Sequence, residues 1–343
     1  MQIRARAPLR LGLAGGGTDL SPYCEQFGGA VLNATIDLYA YATLEPIAGD
    51  RVYFVAKDAG FAESDSAQPD EISIGGKALL HRAVYKAITR RFLNGRAYPC
   101  RLTTFCEAPP GSGLGSSSTM VVAMVKAFVE ALALPLGEYD IAKLAFEVER
   151  VDAGLQGGRQ DQYAATFGGF NFMEFYADER VIVNPLRIKH WILSELEASI
   201  VLFYTGVSRS SASIISEQVQ NISVQSSKSV EAMHQLKSDS YTMKEAILKG
   251  DFAAFAAVLN KSWLAKKQTA ASISNDRIEH LMETAMAAGA VAGKVSGAGG
   301  GGFITFVIDP LASMDVINRL SKEEGRVMTC SFTKLGTQGW RID

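Results

Sequence analysis

A run of small and hydroxylated residues near the middle of the chain has the composition of a phosphate-binding loop. Residues 107–119 read E-A-P-P-G-S-G-L-G-S-S-S-T, and the apolar run M-V-V-A-M-V-K-A-F-V-E-A-L follows. Two prolines keep the chain extended, and Gly111, Gly113 and Gly115 carry no Cβ atoms that would hold a ligand away from the backbone. A helix over the apolar run would offer unpaired N–H groups and the positive end of its dipole at its start. The segment therefore predicts a site for phosphate.

Three serines follow these glycines. The hydroxyl groups of Ser116, Ser117 and Ser118 suit either a helix cap or a metal ligand. No lysine follows the glycines, so the spacing is not that of a Walker A loop. The alternative interpretation is a glycine-rich turn in front of a capped core helix, and the loop by itself leaves both interpretations open.

Two further glycine-rich stretches lie near the two ends of the chain. Residues 12–19 read G-L-A-G-G-G-T-D, and residues 296–302 read S-G-A-G-G-G-G. The later stretch satisfies G-x-G-x-x-G, but a dinucleotide-binding fold has that pattern after its first strand and not near the C-terminus. We therefore do not expect a dinucleotide site.

The composition is that of an ordinary globular protein. The chain has 343 residues, enough for two domains, of which 48% are hydrophobic and 20% charged. Lys and Arg number 34 against 36 for Asp and Glu, and this balance gives no support for a nucleic-acid or anionic-membrane partner. No run reaches the roughly 18 apolar residues of a membrane span, and no apolar signal segment follows the basic N-terminus. We expect a cytoplasmic protein, and the oligomeric state stays open.

The cysteines and histidines give no sign of a metal site. Cys24, Cys100, Cys106 and Cys330 are scattered without a C-x-x-C pair, which favours buried thiols over a disulfide or a metal pair. The four histidines lie far apart in the sequence, so no local zinc cluster is expected.

Hydrophobic periodicity predicts the elements that carry the glycine-rich stretches. In the first half we predict strands at 4–13, 30–44, 51–56, 100–106 and 170–176, a polar loop at 61–70, and helices at 77–92, directly after the phosphate loop, and at 138–151. In the second half we predict strands at 199–204, 291–295, 303–308 and 326–332, and helices over 210–264 and 275–288, the first broken near Gly250 and Asp251. The β-rich half ends within 180–198, and we place a domain boundary there, giving domains 1–190 and 191–343.

The three glycine-rich stretches together resemble the motifs of the GHMP kinase superfamily. P-P-G-S-G-L-G-S-S-S is similar to the phosphate loop P-x-x-x-G-L-[GS]-S-S-[AS], and V-S-G-A-G-G-G-G-F is similar to the C-terminal motif that folds against that loop. The resemblance implies an α+β fold of two domains. The N-terminal one would be of the ribosomal protein S5 domain 2 type, and the C-terminal one ferredoxin-like with added helices.

The resemblance also implies a cofactor and its ligands. ATP would lie with its phosphates along the loop, and Mg²⁺ would be held by Ser117 and Glu149, because a hard dication prefers oxygen ligands. The implied nucleotide-binding residues are Pro110, Gly111, Ser112, Gly113, Leu114, Gly115, Ser116, Ser117 and Ser118. Glu149 could otherwise be the exposed end of a helix.

The catalytic residues are implied by a second match. L-Q-G-G-R-Q-D-Q-Y is similar to the galactokinase segment that contains C-G-I-M-D-Q, whose aspartate is the proposed base, and this carries the role of base to Asp161. Glu149 stands twelve positions earlier, which is the galactokinase spacing. Arg10 matches the arginine that faces the base, where a guanidinium would keep Asp161 ionised. The alternatives are a turn residue for Asp161 and a surface ion pair for Arg10.

The first motif implies a sugar acceptor. P-L-R-L-G-L-A-G-G-G-T-D retains the arginine, threonine and aspartate of galactokinases but has Gly16 and Gly17 where they have Glu and His. It is most similar to bacterial heptose 7-phosphate kinases, with fucokinases as close relatives, so the implied partners are ATP and a sugar phosphate. The alternatives are a kinase for another sugar, such as fucose or a hexose, and a non-catalytic member that senses a sugar or nucleotide. The implied acceptor-binding residues are Gly16, Gly17, Thr18, Asp19, Gly299 and Gly300, with Arg209 for the acceptor phosphate and Lys294 and Arg159 as other candidates. Asp19 could otherwise be a helix N-cap.

Overall fold

Two β-sheets, one of eight strands and one of four, organise the chain. The structure is a computed structural model that describes residues 2–207, 211–223 and 227–343. The strands of the described residues are β1 (Gln2–Ala14), β2 (Gly29–Pro46), β3 (Arg51–Ala56), β4 (Phe61–Ser66), β5 (Cys100–Cys106), β6 (Phe170–Phe175), β7 (Val181–Pro185), β8 (Ile200–Tyr204), β9 (Ala290–Val295), β10 (Phe303–Ile308), β11 (Arg326–Met328) and β12 (Gln338–Ile342).

Helices cover both sheets and connect them. Those of the described residues are α1 (Tyr23–Phe27), α2 (Leu79–Phe92), α3 (Ser116–Leu132), α4 (Glu138–Glu147), α5 (Gln160–Phe167), α6 (His190–Ser199), α7 (Ser211–Ser223), α8 (Ser227–Lys249), α9 (Phe252–Lys267), α10 (Asp276–Ala287) and α11 (Ser313–Leu320). Asp251 accepts a hydrogen bond from the Ala254 N–H and caps α9, and Gly250 beside it has a φ of 71°. The predicted break in the long helical region is therefore confirmed.

The eight-stranded sheet is built around β2. Its order is β12-β1-β2-β5-β3-β4, with β6 also paired to β2 and β7 to β6. β2 pairs with β6 through residues 29–34 and with β5 through residues 40–46. The pair of β3 and β5 is parallel, whereas the other pairs of this sheet are antiparallel. β5 runs directly into the phosphate loop, as predicted.

The four-stranded antiparallel sheet has the order β11-β8-β10-β9. In chain order this is strand, helices, two strands, helix and strand, which is the ferredoxin-like arrangement. Helices α7, α8 and α9 are the additions between β8 and α10. The ferredoxin-like topology predicted for this half of the chain is confirmed.

A shared apolar core joins the two sheets. Leu9 and Leu11 of β1 and Leu32 of β2 belong to the same buried cluster as Leu202 of β8 and Phe303 of β10. Two other large clusters lie to either side of it, one between the eight-stranded sheet and α2 and α3, the other between the four-stranded sheet and α10 and α11. Because the core is continuous between the two sheets, it holds them in a fixed position relative to each other.

Several elements differ from the prediction. Residues 61–66, predicted as loop, form the edge strand β4, whose F-A-E-S-D-S sequence is polar because one side of the strand faces solvent. Two strands and three helices, β7, β12, α1, α5 and α6, were not predicted. The boundary at residue 190 remains a prediction, and β12, which follows it, pairs with β1 in the eight-stranded sheet.

Candidate active site

An open cleft lies where the three glycine-rich stretches meet. Residues of 12–19, of the phosphate loop, of 150–161 and of 297–298 line it, together with side chains of α7, α9 and β9. The predicted site residues are therefore expected to line this cleft.

The phosphate loop, residues 107–119, has the backbone of an anion-binding turn. Gly111, Gly113 and Gly115 have φ angles of 72°, 80° and 78°, which L side chains rarely adopt. Gly115 precedes α3, and no side chain caps the start of this helix. The first-turn N–H groups of α3 are thus available to a phosphate. The serines were predicted either to cap a helix or to bind a metal, and they do not cap α3.

The third glycine-rich stretch packs directly against this loop. The Phe303 N–H donates to the Ser112 carbonyl oxygen at 2.8 Å. A Cβ atom on Gly113 would lie 2.4 Å from the Ser296 carbonyl oxygen, and one on Gly297 would lie 2.8 Å from the Gly113 Cα. The two backbones approach so closely that no side chain fits between them. The glycines therefore fix the phosphate loop against the four-stranded sheet.

Arg10 and Asp161 form a partly buried ion pair that lines the cleft. The Arg10 Nε donates to Asp161 Oδ1 at 2.7 Å, and an Arg10 terminal nitrogen donates to the Gly113 carbonyl oxygen at 2.6 Å. Arg10 is 4% exposed. A Cβ atom on Gly115 would lie 3.2 Å from Asp161 Oδ2, so this glycine lets the carboxylate lie against the phosphate loop. The pair thus places a carboxylate directly beside the predicted phosphate site.

Glu149 is buried among hydrogen-bond donors at the start of α3. Ser117 donates to its Oε1 at 2.7 Å, and Ser118 and the Gln162 amide donate to its Oε2 at 2.6 and 2.7 Å. The Arg150 guanidinium lies 3.3 Å from Oε1. Glu149 is 0% exposed, so the alternative of an exposed helix end is excluded.

A π-helical turn, Val148–Asp152, explains how neighbours in sequence reach the same site. Consecutive residues of an α-helix lie about 100° apart around its axis, whereas the Arg150 guanidinium reaches both Glu149 Oε1 and Ser118 Oγ, at 3.3 Å each. Arg150 also donates to the Gln156 and Gly158 carbonyl oxygens at 3.3 and 3.4 Å. Such single π turns often occur at functional sites.

Asp19 connects the first glycine-rich stretch to α5. Its Oδ2 accepts from the Gln160 backbone N–H at 3.0 Å, and its Oδ1 accepts from the Gln160 side-chain amide at 3.1 Å and the Gly17 N–H at 3.2 Å. A Cβ atom on Gly158 would lie 1.9 Å from Asp19 Oδ2. Asp19 therefore caps α5 from a distance and lines the cleft as well, so both of its predicted roles are compatible with its position.

The structure brings most of the predicted residues into one cleft, with exceptions that have physical reasons. Thr18 does not line it, because its hydroxyl group bonds to Gly15 and Ala30 backbone atoms. Gly299 and Gly300 turn toward Ile273 instead. Pro110, Ser112 and Leu114 alternate with the lining glycines of the loop and do not line the cleft. Glu149 does not line it either, because it is 0% exposed and packs against Ser117 and Ser118. Arg209 lies outside the described residues.

Sequence reasoning missed several residues of the cleft wall. Gln160 was quoted within a motif but given no role, and Lys266 was not considered. Lys266 Nζ donates to the Gly16 carbonyl oxygen at 3.0 Å, and Lys294 Nζ to that of Gly12 at 3.1 Å. Burial lowers the pKa of Lys266 to about 8; burial, with Lys266 and Arg10 nearby, lowers that of Lys294 to about 7. The earlier candidate Arg159 instead contacts Glu25 and Phe146.

The oxygen atoms near the start of α3 fit a magnesium ion. In the described residues no group of three or more His, Cys, Asp or Glu side chains is arranged to hold a metal. Ser117 Oγ and Glu149 Oε1 nevertheless lie 2.7 Å apart beside the phosphate loop. Mg²⁺ in phosphotransferases is commonly bound by one or two protein oxygens, with nucleotide phosphates and water completing the shell. The donor set therefore suits a metal–nucleotide complex.

Comparison with known proteins identifies the class. The models named "GHMP kinases N terminal domain" and "GHMP kinases C terminal" match residues 79–169 and 243–326. A D-glycero-alpha-D-manno-heptose 7-phosphate kinase of Campylobacter jejuni is 49% identical over 341 residues, 99% of each chain. A D-glycero-D-manno-heptose 1-phosphate kinase structure from Bacteroides thetaiotaomicron has a TM-score of 0.84 and 44% identity, covering 99% of each chain.

A putative sugar kinase structure from Campylobacter jejuni is also similar, with a TM-score of 0.82 and 47% identity over 99% of this chain and 98% of the other. The chain belongs to the GHMP kinases, and it is a phosphotransferase. The predicted α+β fold of this family is confirmed. None of the helices in the described residues has the length and apolar composition of a membrane span.

Proposed function

We propose that the protein transfers the γ-phosphoryl group of MgATP to the anomeric hydroxyl group of D-glycero-D-manno-heptose 7-phosphate, giving heptose 1,7-bisphosphate. The observation that carries the proposal is the near-complete match to a heptose 7-phosphate kinase at 49% identity. The cleft supports it, because a carboxylate, a hydroxyl–carboxylate pair and an uncapped helix start converge there. These are the parts that phosphoryl transfer to an alcohol requires.

The acceptor end of the reaction is assigned to Asp161. Its Oδ1 is occupied by the Arg10 N–H, which leaves Oδ2 to accept the proton of the attacking hydroxyl group. As the new O–P bond forms, the bond to the ADP oxygen breaks and ADP carries the electron pair away. The Arg10 guanidinium keeps the carboxylate in place and adds positive charge near the transferred group.

The nucleotide end is assigned to the phosphate loop. N–H groups of the loop and of the first turn of α3 bind phosphate oxygens, and the positive glycine φ angles point the backbone at the ligand. Ser117 and Glu149 are the residues that would hold Mg²⁺, which, when bound, neutralises charge on the phosphates. Positioning and charge are expected to contribute most of the rate enhancement.

Cytoplasmic location and small-molecule partners are part of the proposal. The net charge of −2 favours neither nucleic acid nor an anionic membrane as a partner. The four cysteines are buried and unpaired, as is usual for proteins of reducing compartments.

The test is a coupled assay of ADP release with MgATP and a panel of sugars. The panel contains heptose 7-phosphate, unphosphorylated D-glycero-D-manno-heptose, mannose 6-phosphate, fucose and galactose. We expect turnover with heptose 7-phosphate and an acid-labile anomeric phosphate in the product. Equal or faster turnover of fucose or another free sugar would contradict the proposed acceptor, and loss of all ADP release would contradict the kinase assignment of the cleft.

A further inference from the structure

Two buried lysines of the cleft wall have no role in the transfer proposed above. Lys266 of α9 and Lys294 of β9 are 3% and 5% exposed, and both line the cleft. Their ammonium groups donate to backbone carbonyl oxygens of Gly16 and of Gly12 and Leu13. Within the described residues, no carboxylate lies at ion-pair distance from either lysine. Buried cations are costly unless they are paired.

The charged groups nearest to the lysines already have partners. Lys266 faces Asp19 and Arg10, and Lys294 faces Lys266, Arg10 and Asp239. Asp19 accepts three N–H donors, and Arg10 is paired with Asp161.

Asp239 is also occupied, because it accepts from Ser262 and Gln235 and lies 3.7 Å from Lys261. With both lysines protonated, this end of the cleft has four cations, Arg10, Lys261, Lys266 and Lys294, against the three carboxylates of Asp19, Asp161 and Asp239, an excess of one positive charge. A ligand anion would compensate it.

The lysines lie on the acceptor side of the cleft. Their hydrogen bonds go to residues 12–16, the stretch that leads to Asp19, whereas Arg10 contacts Gly113 of the phosphate loop. Gln218 of α7 lines the same wall, and it lies near Gly17 together with Lys266. An anion bound by the lysines would consequently belong to the acceptor and not to the nucleotide.

We propose that Lys266 and Lys294 form an anion subsite that binds the phosphate group already carried by the acceptor. This inference rests on the proposed function and makes it more specific, since it assigns the residues that select a phosphorylated sugar. Two ammonium groups give a phosphate dianion charge-assisted hydrogen bonds. The subsite lies within the described residues and does not require Arg209.

The test compares two acceptors in one variant. Wild-type protein and Lys266→Met are assayed with heptose 7-phosphate and with unphosphorylated D-glycero-D-manno-heptose. We expect kcat/KM for heptose 7-phosphate to fall about 10- to 100-fold, the size of one lost hydrogen bond between charged groups. The value for the unphosphorylated heptose should change by less than about twofold. Equal losses on both acceptors, or a loss expressed as a higher KM for ATP, would overturn the proposal.

Lys267 supplies a matched control on the same helix. It is adjacent in sequence, but its Nζ lies 3.1 Å from Glu279 and its side chain is 29% exposed. Lys267→Met removes the same charge outside the cleft, and we expect both acceptors to retain wild-type kinetics. A fall like that of Lys266→Met would show a general charge effect and would contradict a subsite. Thermal unfolding of each variant, and Lys294→Met as a second cleft variant, exclude a folding defect as the cause.

Proton uptake provides a readout that does not need turnover. Calorimetry at about pH 8, in two buffers of different ionisation heat, measures protons bound when inorganic phosphate or heptose 7-phosphate is added. We expect uptake in the wild type, because a bound anion raises the lowered lysine pKa values, and less uptake in Lys294→Met. Uptake without turnover of heptose 7-phosphate would retain the subsite and contradict the proposed reaction. Turnover without uptake would retain the reaction and overturn the subsite.

Discussion

At the scale of single residues, the two carboxylates of the site, Asp161 and Glu149, differ in their hydrogen-bond partners. Asp161 accepts from one guanidinium and keeps an oxygen atom for the acceptor. Glu149 is 0% exposed and accepts from two hydroxyl groups and an amide, and the Arg150 guanidinium lies 3.3 Å from its Oε1. The different surroundings support different roles, a base for Asp161 and a metal ligand for Glu149. Both roles can be tested by substitutions that keep the side-chain shape.

Asp161→Asn tests the role of base. The amide has nearly the same size but cannot accept the hydroxyl proton, so we expect kcat to fall about 10²- to 10⁴-fold. The measurement is ADP release at saturating MgATP and acceptor. Asp70→Asn, which changes an exposed carboxylate 2.6 Å from Arg90 outside the cleft, should leave kcat unchanged. An Asp161→Asn protein with nearly wild-type kcat would remove the base from the mechanism.

Ser117→Ala tests the magnesium site. The variant loses the hydroxyl group that lies against Glu149 Oε1. We expect the Mg²⁺ concentration for half-maximal rate to rise by about tenfold or more, the size found even for residues that only orient metal ligands. Ser116→Ala is the control, because Ser116 Oγ lies 3.5 Å from the Pro109 carbonyl oxygen and not beside Glu149. Identical magnesium titrations for the two variants would contradict Ser117 as a ligand.

At the scale of elements, glycines and one π turn bring the side chains together. The turn at residues 148–152 places Glu149 against Ser117 and directs Arg150 into the cleft. Gly157 makes room for the Arg150 guanidinium, which a Cβ atom would approach to 2.3 Å. Gly158 does the same for Asp19. The segment between α4 and α5 therefore fixes the positions of three charged side chains, those of Glu149, Arg150 and Asp19.

Gly158→Ala tests this arrangement. The new methyl group would overlap Asp19 Oδ2, so the carboxylate has to move and loses hydrogen bonds to Gln160. We expect KM for the acceptor to rise about tenfold or more while KM for ATP changes little, since each lost hydrogen bond to a charged group is worth about 1.5–3 kcal/mol. Gly75→Ala, where a Cβ atom meets nothing within 4 Å, is the control. An unchanged acceptor KM would mean that Asp19 does not contact the acceptor.

Sequence reasoning succeeded where a local pattern determines the element. The glycine loop followed by α3, and the break before α9, come from neighbouring residues. It failed where residues distant in the sequence determine the strand pairing or the burial of a side chain. β4 and β12 are short edge strands whose pairing cannot be read from their own composition. Lys266 and Lys267 are adjacent residues of the same type, so the sequence does not distinguish them. The orientation of α9 relative to the cleft buries Lys266 and leaves Lys267 29% exposed.

At the scale of the whole molecule, the buried lysines connect the cleft to stability. Burial lowers the pKa of Lys294 from 10.5 to about 7 and that of Lys266 to about 8. Between the folded and unfolded values the unfolded chain binds more protons, so these groups make the free energy of unfolding rise as pH rises. Below about pH 7 both lysines are charged in the folded state, and their destabilising effect is complete.

Urea unfolding at about pH 6.5, 7.5 and 8.5 tests this linkage in the absence of ligand. We expect Lys294→Met to be more stable than the wild type at the lowest pH, and the difference to shrink as pH rises. Lys267→Met should follow the wild-type pH dependence. A difference between Lys294→Met and the wild type that stays constant with pH would show that the lysine does not titrate in this range.

Because β1 pairs with β12, the eight-stranded sheet cannot be completed until β12 has been synthesised. Gln2 to Arg6 are hydrogen-bonded to residues 338–342, which a ribosome adds more than 300 residues later. During synthesis the first strand therefore keeps an open edge while the whole four-stranded sheet is being made. Such an edge can pair with other chains. We therefore expect the open edge of β1 to be shielded until β12 has been made.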